Sequence, residues 1–522
     1  MSKRSWLRAL SKTARELPPS PPIHLGNRSN GECFHEATPK EQLAHKLILE
    51  RAEVGARRLG IDRREFLASG VGLATSLSVL NVVNGCGPTP PQGTGGAGGS
   101  GGYYDAGPNP LDSGAVCQHF IDPSKEFIFD IQTHHVNRGN SPNYQQFLTG
   151  LPQYAGYCAP RGIDPVSCFS RNEYIRLMFL ESDTTVAVLS GLPAIESQNP
   201  VTNPEIAETR DIINLMADGT QRLVNHSMVL PNNGDLQAVL NGMQQIKETL
   251  GVGAWKCYPA WDPRNTVASA LNGYYFDTPM GRAVIEKGRS LGVKTFCIHK
   301  GLPIPGFSAE YNDPRDIGVV AREYPDVKFI IYHSGYGNNG GFFLGEGAYA
   351  EGSLVGTNSL ITSMLQNGLG PNSNVYAELG TTWQMIKNNT TLAAHVIGKL
   401  LRYVGENNVV WGTDSIWYGS PQEQIQAFLQ FNYTQQFASQ YGYPLLTMDI
   451  KRKVLGLNAA SAYGIDPTKV RCAIDRSELA QYKRELDEEY GRYRWALNRP
   501  MLGSRREYTE LLRDKIRKGE PA

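Results

Sequence analysis

The stretch FIFDIQTHHV at residues 127–136 decides the fold, because an apolar run ends there in side chains that can bind a cation. An apolar run of this length is typical of a strand in a parallel sheet that is covered on both faces. Side chains alternate along a strand, so Asp130, Gln132 and His134 share one face. The pattern therefore predicts a buried strand whose carboxyl end carries chemistry.

Seven later segments repeat this arrangement. They are short, rich in β-branched or aromatic residues and mostly end in polar side chains: residues 184–192, 222–230, 252–259, 293–299, 327–334, 374–380 and 408–414. Helix-like stretches separate most of them, for example residues 235–250, 278–291, 315–324 and 391–404. Eight strands alternating with helices predict an α/β fold, the (β/α)8 TIM barrel, whose active site lies at the carboxyl ends of its strands.

The composition bounds the class of protein. The chain has 522 residues, of which 40% are hydrophobic, and a formal net charge of +1. A chain of this length can bury a large core, and about two-thirds of it suits one α/β barrel. The near-neutral charge gives no sign of nucleic acid as a partner. We therefore expect a small-molecule substrate and place the barrel at residues 115–465.

Residues 1–86 are interpreted as a long leader. RREFL at residues 63–67 precedes an apolar stretch, residues 68–83, that glycine and hydroxyl residues dilute. This pattern is typical of a twin-arginine export signal. The alternative is a transmembrane anchor, for which the stretch is short and interrupted. We expect export by the twin-arginine machinery, and a local helix at residues 40–58.

Cys86 ends the sequence VNGC, which looks like a lipobox. The Gly- and Pro-rich linker that follows, residues 87–114, would then be a flexible tether. This arrangement favours a periplasmic protein anchored to the membrane by a lipid on Cys86. The alternative is a soluble periplasmic protein in which Cys86 is incidental.

Two other segments leave alternatives open. The tail at residues 466–522 is charged, with apolar residues at helical spacing, and predicts amphipathic helices that lie on the barrel or on a partner subunit. A homodimer is therefore one of the arrangements that fit. Cys158 and Cys168 flank an irregular insertion and could pair in an oxidising compartment.

Four side chains are expected at one rim of the barrel. His134 ends the first strand, His299 ends FCIH, His333 ends FIIYH and Asp414 ends VVWGTD. Imidazole and carboxylate groups are the ordinary ligands of a catalytic zinc or a similar divalent ion. Each residue alone is more typical of a hydrogen-bonded structural role. Four of them at the strand ends of one barrel favour a metal site.

Seven motifs occur in a characteristic order: DIQTHH (130–135), SDTTVAVLSGLP (182–193), GAWKCYP (253–259), IHKG (298–301), YHSGYG (332–337), VVWGTDSIW (409–417) and KVLGLNAASAYGI (453–465). In order and spacing they resemble the amidohydrolase superfamily, specifically the amidohydrolase-related branch that includes aminocarboxymuconate-semialdehyde decarboxylase-like enzymes. The resemblance covers residues 127–465. It implies one divalent metal ion, which we expect to be zinc.

The resemblance also implies a role for each matching residue. The family's first strand carries His-x-His as two metal ligands, and Gln132 and His134 occupy those positions here. His299 matches the metal ligand of the fifth strand. His333 matches the histidine that positions or activates the metal-bound water. Asp414 matches the aspartate of the eighth strand, a metal ligand that can also exchange a proton with that water.

Gln132 departs from the family's pattern. An amide oxygen can coordinate zinc, but it is neutral and a poorer donor than imidazole. We therefore expect a lower metal affinity, a harder ion or loss of the site. His135 does not simply substitute, because alternation points it away from the face of His134.

Three further side chains are predicted to bind the substrate. Lys256 ends the fourth strand and suits a substrate carboxylate, the alternative being a salt bridge within the rim. Trp255 and Trp417 indicate a flat apolar or aromatic ligand, although each aromatic residue alone is more typical of a core.

Three hypotheses follow. The first is a metal-dependent hydrolase of an amide, ester or lactone, with His333 and Asp414 as catalytic residues. The second is a non-oxidative decarboxylase that uses the same ion. The third, motivated by Gln132, is a non-catalytic binding lipoprotein on a degenerate barrel.

Overall fold

The computed structural model describes most of the chain, in residues 20–29, 34–85, 101–107, 109–112, 115–116, 119–137, 139, 142–217, 219–263, 272–302 and 307–474. Cys86 and the tail beyond residue 474 lie outside these ranges, as does most of the predicted linker. The predicted lipid attachment and the amphipathic tail therefore stay predictions.

Eight parallel strands form the central sheet, each paired with its neighbours in sequence. We number them β1 to β8 in chain order: Phe129–Thr133, Val186–Leu189, Leu223–Val229, Ala254–Cys257, Thr295–His299, Lys328–Tyr332, Val375–Glu378 and Val409–Val410. Backbone hydrogen bonds from Ile131 to Trp411 and from Asp414 to Gln132 join the last strand to the first. Each strand lies inside a predicted segment, which confirms the TIM barrel.

Helices cover the outside of the sheet and bury one apolar face against it. Those that follow the strands are Asn203–Leu215, Leu236–Leu250, Pro279–Ser290, Ile317–Glu323, Thr357–Gln366, Thr390–Tyr403 and Gln422–Gln430. Asp235 and Thr278 cap two of them by accepting hydrogen bonds from backbone N–H groups of the first turn. The predicted helices are thus present with shifts of two residues or fewer at their ends.

The connection between β1 and β2 is a small helical subdomain. It contains the helices Pro142–Gly150, Pro165–Cys168 and Arg171–Ile175. A disulfide joins Cys158 to Cys168, whose Cα atoms are 5.8 Å apart. The structure therefore settles the pairing that the sequence left open.

A short helix, Asn458–Tyr463, closes the amino end of the barrel. Asn458 donates a hydrogen bond to the carbonyl of Val409 at 2.7 Å, and Lys328 donates one to the carbonyl of Ala462 at 2.6 Å. The Tyr463 ring packs on Phe129, with ring centroids 5.4 Å apart. These contacts lie at strand starts, so the opposite end is the one left for a site.

Three N-terminal helices, Pro39–Leu59, Arg63–Leu67 and Gly70–Val83, pack on the barrel. The first confirms the predicted local helix and begins with a capping box made by Thr38 and Glu41. Within the described ranges, no helix has both the length and the apolarity needed to cross a bilayer. Export by the twin-arginine route stays a prediction.

Candidate active site

His134 and Asp414 meet at the carboxyl ends of β1 and β8. The Nε2 atom of His134 lies 3.3 Å from Oδ1 of Asp414, and both side chains are buried. The other ring nitrogen of His134, Nδ1, donates to the carbonyl of Ser190 at 2.9 Å. A neutral ring in that tautomer presents a lone pair at Nε2. Two electron-rich atoms then face each other, so a proton or a cation must stand between them.

The spacing of this pair fits shared coordination of one ion. Zinc binds imidazole nitrogen and carboxylate oxygen at about 2.0–2.2 Å, so two donors of a tetrahedral ion are about 3.4 Å apart. A metal-bound histidine also typically donates its second N–H to a carbonyl, as His134 does to Ser190. The alternative occupant is a proton, which would make the pair an imidazolium–carboxylate ion pair.

His333 follows β6 and is held by the loop after β7. Its Nδ1–H donates to the carbonyl of Gly380 at 2.6 Å, and its backbone N–H donates to Glu378 at 3.0 Å. The Nε2 atom of the same ring lies 3.5 Å from the amide nitrogen of Gln132. The carbonyl contact makes Nε2 the lone-pair nitrogen of the neutral ring, which is the form a general base needs.

Gln132 keeps its amide oxygen buried without a hydrogen bond from any described residue. The backbone of Gly380 and of Gly412 approaches this region closely. A Cβ at Gly380 would lie 2.2 Å from Oε1 of Gln132, and one at Gly412 would lie 1.7 Å from Oε1 of Glu378. Glycine is therefore required at both positions for Gln132 and Glu378 to fit. A buried amide oxygen without a donor is costly, and a cation would satisfy it.

His299 ends β5 within a wall of rings. The ring centroids of His333, Tyr258 and Phe307 lie 4.6, 5.4 and 5.7 Å from that of His299. Burial lowers the pKa of His299 well below its ordinary value, and the nearby His333 and Lys256 lower it further. The ring is therefore neutral, which is the state in which imidazole binds a metal.

Asp414 is held as a carboxylate although it is fully buried. Burial raises its pKa, but the hydrogen bond and charge of a protonated His134, together with the charge of His333 and the hydrogen bond of Thr381, outweigh that effect and lower the pKa to about 2, which corresponds to the ion-pair form of the contact. The Thr381 hydroxyl donates to the second carboxylate oxygen at 2.7 Å. Asp414, Thr381 and His333 have φ angles of +59°, +53° and +64°. Such backbone is strained for residues other than glycine and is typical of functional sites.

The donor set fits a divalent ion in kind, with two imidazoles, one carboxylate and one amide oxygen. The positions of these donors match a divalent ion in part. Among the residues that the structure describes, no group of three or more His, Cys, Asp or Glu side chains could hold a metal ion. The His134–Asp414 pair has the required spacing and Gln132 offers an oxygen, whereas His299 does not complete such a group. Shared coordination by His134, His299 and Asp414 therefore stays a prediction.

The residues predicted to bind substrate divide into two groups. Lys256 points into the barrel, with Nζ 3.3 Å from the centroid of the Tyr332 ring. Trp417 stacks on His134, with ring centroids 5.4 Å apart and planes 8° from parallel. Trp255 was wrongly placed at the mouth: its indole N–H donates to the carbonyl of Val293 at 3.1 Å, and it packs on Gly288 of a covering helix. Alternation along β4 explains this, because Lys256 takes the inner face.

Sequence reasoning missed the residues that hold the site together. Ser190 and Gly380 fix the tautomers of His134 and His333, and Thr381 fixes Asp414. Glu378 anchors the backbone of His333, and burial raises its pKa to about 7 against the lowering effect of His333. The one available signal was the polar ending AELGTT after β7. His135 faces away from the site, as predicted, and contacts Thr209 at 3.0 Å.

Several solved structures resemble this chain weakly. A probable 2-pyrone-4,6-dicarboxylic acid hydrolase from Acinetobacter baumannii is 14% identical, covering 65% of this chain and 99% of that one, with a TM-score of 0.37. An uncharacterised TIM-barrel protein from Bordetella bronchiseptica is 12% identical, covering 65% and 98%, with a TM-score of 0.41. A dihydroorotase from Campylobacter jejuni is 12% identical, covering 65% and 84%, with a TM-score of 0.34. Likenesses this low say nothing about the chemistry of this chain.

Sequence comparison gives a more specific result. No curated protein matches the chain. A family model described as amidohydrolase matches residues 236–465, which include β4 to β8 and the helix that closes the amino end. His299, His333 and Asp414 lie inside the match, whereas Gln132 and His134 precede it. Residues 236–465 therefore carry the sequence pattern of the amidohydrolase family.

Proposed function

We propose that this protein is a metal-dependent hydrolase that cleaves an amide, ester or lactone bond in a small substrate. The observation that carries the proposal is the buried contact of two groups that can bind a metal, Nε2 of His134 and Oδ1 of Asp414, 3.3 Å apart, with the other ring nitrogen of His134 placed on the carbonyl of Ser190. The family match over residues 236–465 supports the same chemistry at the level of the family. His134, His299 and Asp414 would hold the ion, with Gln132 as the fourth donor.

The residues around this pair supply the acid–base chemistry. A divalent ion, when bound, supplies Lewis acidity and lowers the pKa of a coordinated water. His333 accepts a proton at Nε2, because its Nδ1–H is committed to the carbonyl of Gly380. Asp414 orients the reacting groups through one oxygen while Thr381 holds the other. Trp417, Tyr258 and Phe307 line the site with apolar rings and favour a substrate with a flat apolar part.

The disulfide between Cys158 and Cys168 supports export of the protein. Disulfides persist in oxidising compartments and are rare in the bacterial cytosol. We therefore keep the proposal that the twin-arginine machinery exports the chain, since that route carries folded proteins. The proposed place of action is the periplasm.

Metal content and the fate of solvent oxygen test the function together. The wild-type protein is grown in metal-replete medium and compared with His299→Ala and with His395→Ala, a histidine packed among Phe437 and Tyr441. Metal is quantified per chain, and a panel of amides, esters, lactones and carboxylated rings is incubated in ¹⁸O-labelled water. We expect about one ion per chain in the wild type and in the His395 variant, and a large loss in the His299 variant.

The outcomes separate the three hypotheses. Label in the product together with stoichiometric metal supports hydrolysis. Carbon dioxide release without label would show the decarboxylase instead. A wild-type protein that binds no zinc at micromolar concentration would make the His134–Asp414 contact an ion pair and leave a binding protein on a degenerate barrel.

A further inference from the structure

The described N-terminal residues, 20–29 and 34–85, are called the arm here. They contain the three helices that pack on the barrel, and their apolar side chains belong to the same core cluster as the barrel helices. In the helix Gly70–Val83, 11 of 14 residues are buried. If the arm were cleaved off as an export signal, the barrel would lose the apolar side chains that pack against it. The arm is built like part of the folded domain.

A buried ion pair ties the arm to the loop after β7. Arg28 and Glu41 are 1% and 4% exposed and contact each other directly. Arg28 also donates to the carbonyl of Gln384 at 3.1 Å. Glu41 accepts from the side-chain amide of Asn388 at 2.9 Å. Two buried charges are costly unless hydrogen bonds compensate them, and here the barrel loop supplies one hydrogen bond to each charged group.

Further hydrogen bonds join the arm to the same loop. Asn388 donates to the carbonyl of His24 at 3.0 Å, and Asn84, at the end of the arm, donates to the carbonyl of Asn388 at 3.0 Å. Asn81 exchanges two 2.7 Å hydrogen bonds with Tyr104, whose hydroxyl donates to the carbonyl of Lys387. The arm therefore reaches this loop from both of its ends.

The loop that the arm contacts, residues 380–388, also forms hydrogen bonds with residues of the candidate site. The carbonyl of Gly380 accepts from His333, and the hydroxyl of Thr381 donates to Asp414. Thr382 donates to the carbonyl of His333 at 3.0 Å and begins the helix Thr382–Ile386. Thr381 has a φ of +53°, which persists only where the surroundings impose it. The arm contacts this loop at Gln384 and Asn388, one to two helical turns beyond Thr381.

We propose that the arm is retained in the mature protein and positions the loop at residues 380–388, and through it Asp414 and His333. This inference opposes the predicted cleavage before Cys86, because that cut would remove the whole arm. It is compatible with export of a folded chain whose signal is not removed. Arg28, Glu41 and Asn388 act as positioning residues and touch no reacting group.

The first test is the mass of the mature chain. The full-length protein is expressed in a bacterium with an active twin-arginine pathway, extracted with mild detergent and measured intact and after digestion. We expect a folded protein that still contains residues 20–85. A stable, folded barrel that begins at Cys86 or later would overturn the proposal.

The second test measures hydrogen exchange in the loop. Glu41→Gln is compared with Glu53→Gln, which removes solvent-exposed ion pairs to Arg57 and Arg63 within the arm. We expect amides in residues 380–388 to exchange at least roughly tenfold faster in the Glu41 variant and unchanged in the control. Faster exchange confined to the arm, with the loop as in the wild type, would remove the positioning role. Neither test uses turnover, so both outcomes are independent of the proposed hydrolase activity.

Discussion

At the carboxyl end of the barrel, His333, Thr381 and Asp414 have positive φ angles, and the buried amide oxygen of Gln132 has no hydrogen-bond donor among the described residues. At the amino end, the helix Asn458–Tyr463 packs on apolar rings, Asn458 donates to the carbonyl of Val409 and the Tyr463 hydroxyl contacts His226. The carboxyl end therefore has strained backbone and a buried polar atom without a described partner, whereas the amino end is packed like an ordinary core. A substitution at the carboxyl end should therefore change activity, and one at the amino end should change stability.

The largest expected effect is that of His333→Asn. Asparagine tolerates positive φ better than most residues, so the backbone at this position should be kept. Loss of the base at Nε2 should lower kcat by about 10²–10⁴-fold while metal content and melting temperature stay near those of the wild type. Steady-state kinetics, metal analysis and thermal unfolding check the three readouts. If His333→Asn lowered stability as well as activity, the carboxyl end would not be specialised for activity.

A loss of stability without a loss of metal binding is expected for Gly456→Ala at the amino end. Gly456 lies in the helical turn Lys453–Leu457, directly before the closing helix, and a Cβ there would lie 2.3 Å from the carbonyl oxygen of Phe127, so this turn must shift. We expect a loss of about 1–3 kcal/mol in the free energy of unfolding, with metal affinity unchanged. The control is Gly242→Ala in the helix Leu236–Leu250, where a Cβ meets nothing within 4 Å. That variant should be as stable as the wild type or slightly more so, by up to about 1 kcal/mol.

The difference between the ends also explains how much the sequence predicted. The strands were predicted correctly because each is an apolar run with a polar ending. His134, His299, His333 and Asp414 were singled out because they are those endings, and their role as a site stays a prediction. Thr381 and Glu378 were missed because their roles depend on contacts between β6, β7 and β8, which are far apart in sequence. Trp255 was misplaced because its neighbour Lys256 takes the inner face of β4.

The arm shows a second limit of sequence reasoning. RREFL followed by a diluted apolar stretch suits an export signal, and the same pattern also suits a short helix buried against a barrel. The two differ only in whether the barrel offers partners, such as Asn388 for Glu41. Those partners lie more than 300 residues away, so no local pattern could reveal them.

A pH-dependent effect, small at any one pH step, concerns Lys451, in the helix Met448–Arg452 that precedes the turn Lys453–Leu457. Burial lowers its pKa to about 7, against a weaker opposing effect of Asp105. The unfolded chain then binds one more proton than the folded chain between about pH 7 and the ordinary lysine pKa near 10.5. Stability should therefore rise with pH in this window, by up to about 1.4 kcal/mol per pH unit.

Urea unfolding at several pH values checks this slope. Lys451→Met should flatten it, whereas the exposed Lys469→Met should keep it as in the wild type. A slope that survives in the Lys451 variant would assign it to another group. Because Lys451 lies apart from the candidate site, metal affinity should be the same in both variants, which keeps the two ends of the barrel separable.

The smallest expected effect is that of Gln132→His, which would give β1 the His-x-His pattern of the amidohydrolase family. Imidazole is a better zinc donor than an amide oxygen, so zinc affinity should rise by roughly tenfold. Gln132→Leu keeps the approximate volume and removes Oε1, and it should weaken zinc binding if that oxygen is a ligand. Competition with a fluorescent chelator measures both. Equal zinc affinity in the leucine variant and the wild type would exclude Gln132 from the ligand set, and the buried oxygen would then mark strain at the carboxyl end rather than a donor to the ion.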